Sequence, residues 1–410
     1  MSTLLDVNPE NEWRLDTPGE IGWERTTRPG QAKKKYFMVS CDTHVMPPPT
    51  LFAERIEPRF RDMLPKVEVR DGVRYLVQHG TTRAEPLFEP ELTGDDLLRT
   101  RAGAALSVHL EFDSLEARLS AQDRDGVDAE VVFPNGPALL MWAGHDIEFI
   151  MAQARVWNDW AIDYFGSVLD RCAPVAAIPT ADVDLAVVEI ERVAKLGYKV
   201  LSLPSKPIFG PEEPGHTNYQ YPPYAKLWSA IEDVDLPIAF HVASGKDPRS
   251  ARGFGGAITN YVVHAMAPGL EPLVTLCASG VIERHPRIRF ASIEANAGWL
   301  AWMLESMDEA YRKHHFWVRP KLKELPSTFF KTNGACSLGE DKPALALAEQ
   351  FGLEDNLMWA NDFPHHEGTW PHSAEAIERN MGHLREESRA KILGLNAARF
   401  FGFEIPDHLK

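Results

Sequence analysis

Five acidic and histidine residues stand at the ends of apolar segments that have the length of buried strands: Asp42, His44, His241, Glu294 and Asp362. Asp42 and His44 are two positions apart, and residues at that spacing point to the same side of a strand. Two imidazoles with several carboxylates suit zinc, iron or manganese. Unpaired buried carboxylates are costly, and a cation would neutralise them. The sequence therefore predicts a site for one or two divalent ions, zinc being the first choice.

The chemistry expected of such a site is metal-dependent hydrolysis. A bound cation lowers the pKa of a water ligand to about 7 and polarises a carbonyl group. We expect that water to attack the carbonyl of a small organic acid-type substrate, at an amide, ester, thioester or activated carbon–carbon bond. Asp362 would act as general base and then acid, Glu294 would bind or bridge the metal or orient the water, and His365 would stabilise the oxyanion.

Two other functions stay open. The first is metal-dependent, non-oxidative decarboxylation of a small aromatic or dienoic acid, in which an acid protonates the carbon that loses its carboxylate. The second is a non-catalytic barrel that binds a ligand or partner.

Three further residues are candidates for binding the substrate. Arg61 could clamp a substrate carboxylate with two parallel hydrogen bonds, although a solvated surface charge is the ordinary alternative. His366 follows His365 directly and could bind an acid group. Trp370 follows the eighth predicted strand and is expected to line the pocket.

The elements that must position these residues are eight short apolar segments that alternate with helical patterns. The predicted strands cover residues 37–41, 129–133, 174–178, 200–203, 237–241, 289–294, 328–332 and 356–360. The predicted helices cover residues 145–168, 184–195, 222–233, 270–284, 299–314, 342–351 and 386–400. Eight alternations predict an α/β fold that closes as a (β/α)₈ barrel, whose chemistry gathers at the carboxyl ends of the strands. A doubly wound open sheet is the alternative, weakened by the absence of GxGxxG after the first strand.

The chain divides into an arm, a barrel and a tail. Residues 1–35 are polar and predict an N-terminal arm, and residues 404–410 a C-terminal tail. Residues 36–403 are expected to form the barrel, with 45–114 as an insertion over its mouth. Alternation around Asp71 and Gly72 predicts a hairpin at residues 67–77.

Composition excludes several classes of partner. The 410 residues carry a net charge of −16, which disfavours binding to nucleic acid or to anionic lipid. No apolar run approaches the roughly 20 residues of a membrane helix. The four cysteines are scattered, as expected of free thiols in the cytoplasm. We expect a cytoplasmic protein with a small-molecule substrate, no nucleic-acid or membrane partner, and a homodimeric assembly.

Several motifs together resemble the amidohydrolase superfamily, in the amidohydrolase 2 branch that includes the aminocarboxymuconate semialdehyde decarboxylase-like enzymes. They are residues 39–45 (VSCDTHV), 60–62 (FRD), 285–290 (HPRIRF), 298–300 (GWL), 361–365 (NDFPH) and 396–402 (NAARFFG). The resemblance covers nearly all of residues 37–403.

This resemblance implies a distorted (β/α)₈ TIM barrel, one or two metals at its mouth, and frequent dimers. It implies metal ligands at Asp42, His44, His241 and Asp362. Many members open with His-x-His where this chain has Asp42, and the decarboxylases end the sixth strand with a histidine where this chain has Glu294. These departures favour hydrolysis at a carboxylate-rich site.

Overall fold

The computed structural model describes most of the chain from residue 36 onward. The described residues are 36–70, 73–77, 85–86, 114–135, 141–142, 146–207, 218–242, 244, 256–259, 262–263, 266–365, 368–370 and 372–407. The predicted arm of residues 1–35, about half of the predicted insertion and His366 lie outside them.

Within the described part of the chain, eight buried parallel strands form the centre, as predicted. They are β1 (Val39–Val45), β2 (Ala129–Pro134), β3 (Cys172–Pro174 and Ala176–Ala177), β4 (Leu201–Ser202), β5 (Ile238–His241), β6 (Phe290–Ile293), β7 (Gly334–Leu338) and β8 (Leu357–Trp359). Each strand from β1 to β7 pairs in parallel with the next along the chain. Strands buried on both faces are typical of parallel sheets covered by helices.

The ring closes between β8 and β1. A parallel bridge joins Thr43 to Phe363, just past β8, and the backbone N–H of His44 donates to the Phe363 carbonyl at 2.6 Å. The backbone N–H of Asp362 donates to the Asp42 carbonyl at 3.2 Å. The predicted (β/α)₈ barrel is therefore confirmed.

Helices lie between the strands and after β8. They are α1 (Leu51–Arg55), α2 (Leu115–Arg124), α3 (Ile147–Phe165), α4 (Val183–Leu196), α5 (Ala225–Val234), α6 (Gly256–Thr259), α7 (Met266–Ala278), α8 (Val281–Arg284), α9 (Leu300–Lys313), α10 (Pro326–Asn333), α11 (Lys342–Phe351), α12 (Ser373–Met381), α13 (Glu386–Ala390) and α14 (Asn396–Phe401). The predicted helix 270–284 is divided between α7 and α8, because Gly280 adopts a left-handed φ of 75° before Val281. No helix among these described elements is long and apolar enough to cross a membrane.

The seventh strand was predicted in the wrong place. Residues 328–332 lie within α10, and β7 follows as Gly334–Leu338. Pro326 occupies the first turn of α10, where its fixed φ favours a helix start. The side chain of Asp308 accepts from the Ser327 backbone at 3.0 Å and thereby binds a backbone N–H of that first turn.

The predicted hairpin in the insertion is confirmed. Strands Lys66–Arg70 and Val73–Val77 pair antiparallel, with Lys66 opposite Val77 and Arg70 opposite Val73. The turn residues Asp71 and Gly72 lie outside the described residues. A third short strand, Glu85–Pro86, pairs with the second.

A cluster of mainly small and aliphatic side chains fills the barrel. It collects residues from every strand region, namely Val39, Cys41, Val131, Phe133, Ala173, Val175, Val200, Ala239, Ala291, Ile293, Ala335, Met358 and Ala360. Ala397, Phe401 and Phe403 belong to the same cluster, so the C-terminal helix packs against the barrel interior. Because side chains fill the interior of the barrel, a functional site is expected at the carboxyl ends of the strands.

Candidate metal centre

Strand β1 supplies the first two side chains of the site. Asp42 and His44 are both about 1% exposed. Their Oδ1 and Nε2 atoms lie 3.5 Å apart. The pairing of β1 with β2 shifts register between Ser40 and Thr43, and bulges of this kind re-aim side chains near active sites.

Strands β5 and β6 supply the next two. His241 ends β5 opposite Ile293 of β6, and Glu294 follows directly. His241 Nε2 lies 3.3 Å from Asp42 Oδ1 and 3.0 Å from Glu294 Oε2. Glu294 has a left-handed φ of 62°, and its backbone N–H donates to Ser337 Oγ at 2.8 Å. Such backbone strain in a non-glycine residue is typical of functional sites.

The loop after β8 supplies Asp362 and His365. Asp362 also has a left-handed φ, 53°. Its Oδ1 lies 3.3 Å from His44 Nε2 and 2.9 Å from His365 Nδ1. The His365 ring stacks on the His44 ring with centroids 3.9 Å apart. Asp362 therefore connects the buried cluster to a third histidine, His365.

Backbone carbonyls fix the orientation of both ligand histidines. His44 Nδ1 lies 3.3 Å from the Pro134 carbonyl, and His241 Nδ1 lies 2.5 Å from the Val242 carbonyl. A carbonyl only accepts, so each Nδ1 carries a proton and each Nε2 faces the cluster. A protein commonly orients a metal-binding histidine in this way.

The electrostatics of the cluster follow from its burial. Burial, with a contribution from His365, lowers the pKa of His44 to about 3, so this imidazole is neutral. Burial raises the pKa of Asp42, against the opposing effect of His241. Burial also tends to lower the pKa of His241, but the Asp42 and Glu294 carboxylates outweigh it and hold that pKa well above its usual value. A cation at the centre would replace the proton on His241 Nε2.

The geometry fits a divalent metal ion. One donor atom from each of Asp42, His44, His241 and Glu294 lies within 4.8 Å of the others, and His44, Asp362 and His365 form a second such group. His44 Nε2 is buried and makes no hydrogen bond within the described residues, although carboxylate oxygens lie 3.3 to 3.9 Å away. Metal bonds of about 2.0–2.2 Å place neighbouring ligands at such separations. Four of the five predicted ligands therefore form one group, and Asp362 adjoins it through His44.

A buried ion pair that sequence reasoning missed supports β1. Arg118 of α2 donates to Glu130 at 2.7 and 2.9 Å through two nitrogens. The same guanidinium donates to the His44 carbonyl at 2.6 Å and to Thr43 Oγ1 at 2.8 Å. Arg118 therefore fixes the end of the strand that carries His44. Nothing in the sequence distinguished this arginine from a solvated one.

A second network supports Asp362 through its neighbour Asn361, which is completely buried. Asn361 accepts from Ser40 Oγ at 2.8 Å and donates to Gln122 and Asp125, each at 2.9 Å. Burial, opposed by hydrogen bonds from Ser373 and Asn361, raises the pKa of Asp125 to about 7. Asn361 stands in the sequence motif, but its partners are visible only in the fold.

The structure describes three of the remaining predicted residues, Arg61, Trp370 and His365. Arg61 is exposed on the 3₁₀ helix Pro58–Met63. Trp370 is partly buried, donates to the Ala121 carbonyl at 3.3 Å and packs against Phe363 with ring centroids 5.1 Å apart. His365 lies in the site, where its Nε2 is 3.0 Å from Asn135 Nδ2. Asn135 was missed, although it directly follows β2.

Comparison with known proteins identifies relatives of the whole barrel. A family model described as amidohydrolase matches residues 41–403. The chain is 26% identical over 305 residues to gamma-resorcylate decarboxylase of Rhizobium sp. (strain MTP-10005), covering 72% of this chain and 88% of the relative.

Solved structures share the fold. An amidohydrolase from Mycobacterium avium subsp. paratuberculosis K-10 superposes with a TM-score of 0.69 at 18% identity, covering 90% of this chain and all of that one. The 5-carboxyvanillate decarboxylase of Novosphingobium aromaticivorans, with bound manganese and 3-methoxy-4-hydroxy-5-nitrobenzoic acid, superposes with a TM-score of 0.63 at 18% identity, covering 92% and 99%.

Proposed function

The chain belongs to the amidohydrolase family, and from this membership we propose that it is a metal-dependent decarboxylase of a small aromatic acid. The sequence favoured hydrolysis, with decarboxylation as the alternative; the proposal places decarboxylation first. The reason is that the relative which matches most of the chain at 26% identity is a decarboxylase of such an acid. Hydrolysis therefore becomes the second candidate.

The observation that carries the proposal is the position of Asp362 between two histidines. Its carboxylate lies 3.3 Å from His44 in the cluster and 2.9 Å from His365 outside it. A decarboxylase needs an acid that can deliver a proton to carbon beside the bound carboxylate. Asp362 can serve as that acid, and His365 can supply it with a proton.

The residues Asp42, His44, His241, Glu294 and Asp362 would hold the metal. A divalent ion there would bind the substrate carboxylate and withdraw electron density from it. Manganese is the metal to test first, because a structural relative contains it, and zinc is the alternative.

The reaction itself needs one proton. Asp362 gives its proton to the ring carbon that bears the carboxylate. The bond between that carbon and the carboxylate then breaks, its electron pair restores the aromatic ring, and CO₂ leaves. His365 returns a proton to Asp362 from solvent. Arg61, His366 and Trp370 are the proposed contacts for the rest of the substrate, and the Arg61 side chain is exposed.

Hydrolysis is favoured by one specific feature, the carboxylate of Glu294. Asp42, Glu294 and Asp362 place three carboxylates within 3.9 Å of the His44 imidazole, and the first two also lie within 3.3 Å of His241. A substrate carboxylate would add a fourth negative charge, whereas a neutral ester or amide would not. Two bound cations would offset these negative charges, and a substrate carboxylate could then bind.

The test is to incubate manganese-loaded and zinc-loaded protein with gamma-resorcylate and 5-carboxyvanillate, and separately with a panel of esters and amides, in D₂O. Release of CO₂ with one deuterium on the product ring supports decarboxylation. A product acid that carries oxygen from labelled water, without CO₂, would contradict it and support hydrolysis. Asp362→Asn is the control for background reaction.

A further inference from the structure

The segment that joins β8 to α12 carries the two residues that move a proton in the proposed reaction, Asp362 and His365. We call residues 361–373 the acid segment, after its proton donor. Its backbone pairs with β1 at Asp362 and Phe363. Among the described residues, the part that follows reaches α12 without a strand partner. The position of the segment beyond Phe363 therefore depends on side chains that bind it from outside.

One buried carboxylate binds both ends of the acid segment. Asp125, which directly follows α2, is 1% exposed. At the first end, Asn361 Nδ2 donates to Asp125 Oδ2 at 2.9 Å. At the second end, the backbone N–H of Ser373 donates to Asp125 Oδ1 at 3.1 Å, and the Ser373 hydroxyl donates to Oδ2 at 2.5 Å. Asp125 thus joins the residue before Asp362 to the first residue of α12.

A carboxylate suits a junction of this kind. An ionised carboxyl group only accepts and offers about four lone-pair positions, so it can bind an amide, a hydroxyl and a backbone N–H together. Burying it is costly unless those hydrogen bonds are made. An apolar residue would fill the same space without that cost, but it would bind neither end of the acid segment. Asp125 is therefore better explained by its hold on this segment than by packing alone.

Helix α2 contacts the acid segment at two further points, both one turn before Asp125. Trp370 Nε1 donates to the Ala121 carbonyl at 3.3 Å, and Asn361 Nδ2 donates to Gln122 Oε1 at 2.9 Å. Residues three and four positions apart lie on the same face of a helix. One face at the end of α2 therefore holds the acid segment at its first residue, at Trp370 and at the start of α12.

The same helix is fixed to the strand that carries His44. Arg118 donates to the His44 carbonyl at 2.6 Å, and Gln122 donates to Glu130 of β2 at 2.5 Å. Buried polar contacts therefore fix the position of α2 relative to β1. Because Asp362 Oδ1 lies 3.3 Å from His44 Nε2, both sides of that contact are held by one helix.

We propose that Asp125 is a positioning residue for proton transfer, because it holds both ends of the segment that carries Asp362 and His365. This rests on the proposed function, although Asp362 would move a proton in hydrolysis as well. Within the described residues, the Asp125 side chain bonds to Asn361 and Ser373, and neither is a proposed metal ligand. Loss of Asp125 should therefore slow turnover and leave the metal in place. A displacement of about 1 Å at a reacting group can cost about 10²-fold in rate.

Hydrogen exchange followed by mass spectrometry tests the hold on the acid segment without any substrate. In the Mn²⁺-loaded full chain, Asp125→Ala should raise exchange by about tenfold or more in peptides that cover residues 361–373, because the Ser373 amide loses its acceptor. Asp128→Ala is the matched control, since Asp128 is also buried but accepts from the Met38 backbone N–H at 2.9 Å, just before β1. The control should leave exchange in these peptides within about twofold of wild type.

Steady-state turnover in H₂O and D₂O tests the consequence for the reaction. Asp125→Ala should lower kcat by about 30- to 100-fold, with KM and Mn²⁺ affinity within about threefold of wild type, and should raise the solvent isotope effect on kcat because proton transfer becomes slower. Asp125→Asn, whose amide oxygen still accepts from one end of the segment, should lose about tenfold or less. Ser373→Ala should cost about threefold to tenfold alone and less than about twofold beside Asp125→Ala, because the hydroxyl acts through that carboxylate. Asp128→Ala should keep kcat within about twofold of wild type.

The outcomes separate this role of Asp125 from the proposed function. If wild type releases no CO₂ but hydrolyses an ester or amide, the decarboxylase assignment fails, and the same variants are compared on hydrolysis. Exchange in Asp125→Ala that matches Asp128→Ala, or a kcat that matches wild type, would overturn the role of Asp125. An equal loss of kcat and of bound metal would also overturn it, because Asp125 would then support the whole site. If Asp125→Ala does not fold, Asp125→Asn and Ser373→Ala provide the same comparison.

Discussion

Replacing Arg118 with methionine tests whether the buried Arg118–Glu130 pair holds β1, the strand that carries Asp42 and His44, in place. The side chains of Arg118 and Glu130 are 3% and 2% exposed, and two hydrogen bonds of 2.7 and 2.9 Å join them. Arg118→Met leaves the Glu130 carboxylate buried without its cation. Breaking a buried pair on one side costs roughly 3–5 kcal/mol. At about 2.1 cal/mol/K per residue, 410 residues give an unfolding entropy of about 0.9 kcal/mol/K. Dividing the lost free energy by this entropy gives a fall in Tm of about 3–6 °C.

The pH dependence of this loss has a definite sign. Burial tends to raise the pKa of Glu130, but Arg118 outweighs burial and holds it below the usual value of 4.5. The wild-type pair therefore stabilises the fold fully above about pH 4.5 and loses that contribution as pH falls through the lowered pKa. In Arg118→Met burial prevails and the carboxyl must bind a proton on folding. The difference in unfolding free energy between wild type and variant should therefore widen between about pH 5 and about pH 8.

Thermal unfolding followed by circular dichroism at both pH values measures the effect. Arg118→Met/Glu130→Gln, which removes both charges, should recover about half of the lost stability and show no widening with pH. Arg118→Met should also weaken metal binding by about 10- to 100-fold, because the His44 carbonyl loses its 2.6 Å donor. A variant that unfolds within a degree of wild type, or a double variant less stable than the single, would refute this reasoning.

The remaining predictions concern the site directly. Asp362→Asn should keep at least one metal ion but lose about 10²- to 10⁴-fold in turnover, since an amide cannot carry the proton; normal turnover would remove Asp362 from the proton path. Glu294→Gln should weaken metal binding by at least about tenfold in a titration with Mn²⁺, whereas unchanged affinity would exclude it as a ligand. Gly368→Ala should lower turnover with little loss of Tm, because the new methyl group would meet the backbone carbonyls of Asn361 and Asp362 and displace the loop; unaltered kinetics would show that the loop tolerates the shift.

The barrel and the ligand positions could be predicted because both leave a local signal. A strand buried on both faces is an apolar run, and a residue such as His241 at its carboxyl end must lie at the barrel mouth. The same reasoning failed at β7. Residues 328–332 are rich in strand-forming types, but Pro326 starts a helix there, and the strand itself consists of the less typical sequence GACSL.

The supporting network could not be predicted because its members look like surface residues in the sequence. Arg118 and Glu130 become partners only when α2 packs beside β2, and Asn361 meets Gln122 only when the ring closes. The left-handed backbone conformation at Glu294 and Asp362 could not be predicted either, because glycine is the residue that usually indicates it and neither position is glycine. These features depend on contacts between elements that are distant along the chain.

Elemental analysis of the purified chain and of His241→Ala, each after saturation with Mn²⁺ or Zn²⁺ and removal of free metal, tests the central claim most directly. His241 Nε2 lies within 3.3 Å of two carboxylates in the buried cluster. The account predicts one or two tightly held divalent ions per wild-type chain and loss of at least one of them in His241→Ala. A wild-type chain that holds less than one equivalent, or a variant that holds as much as wild type, would contradict it.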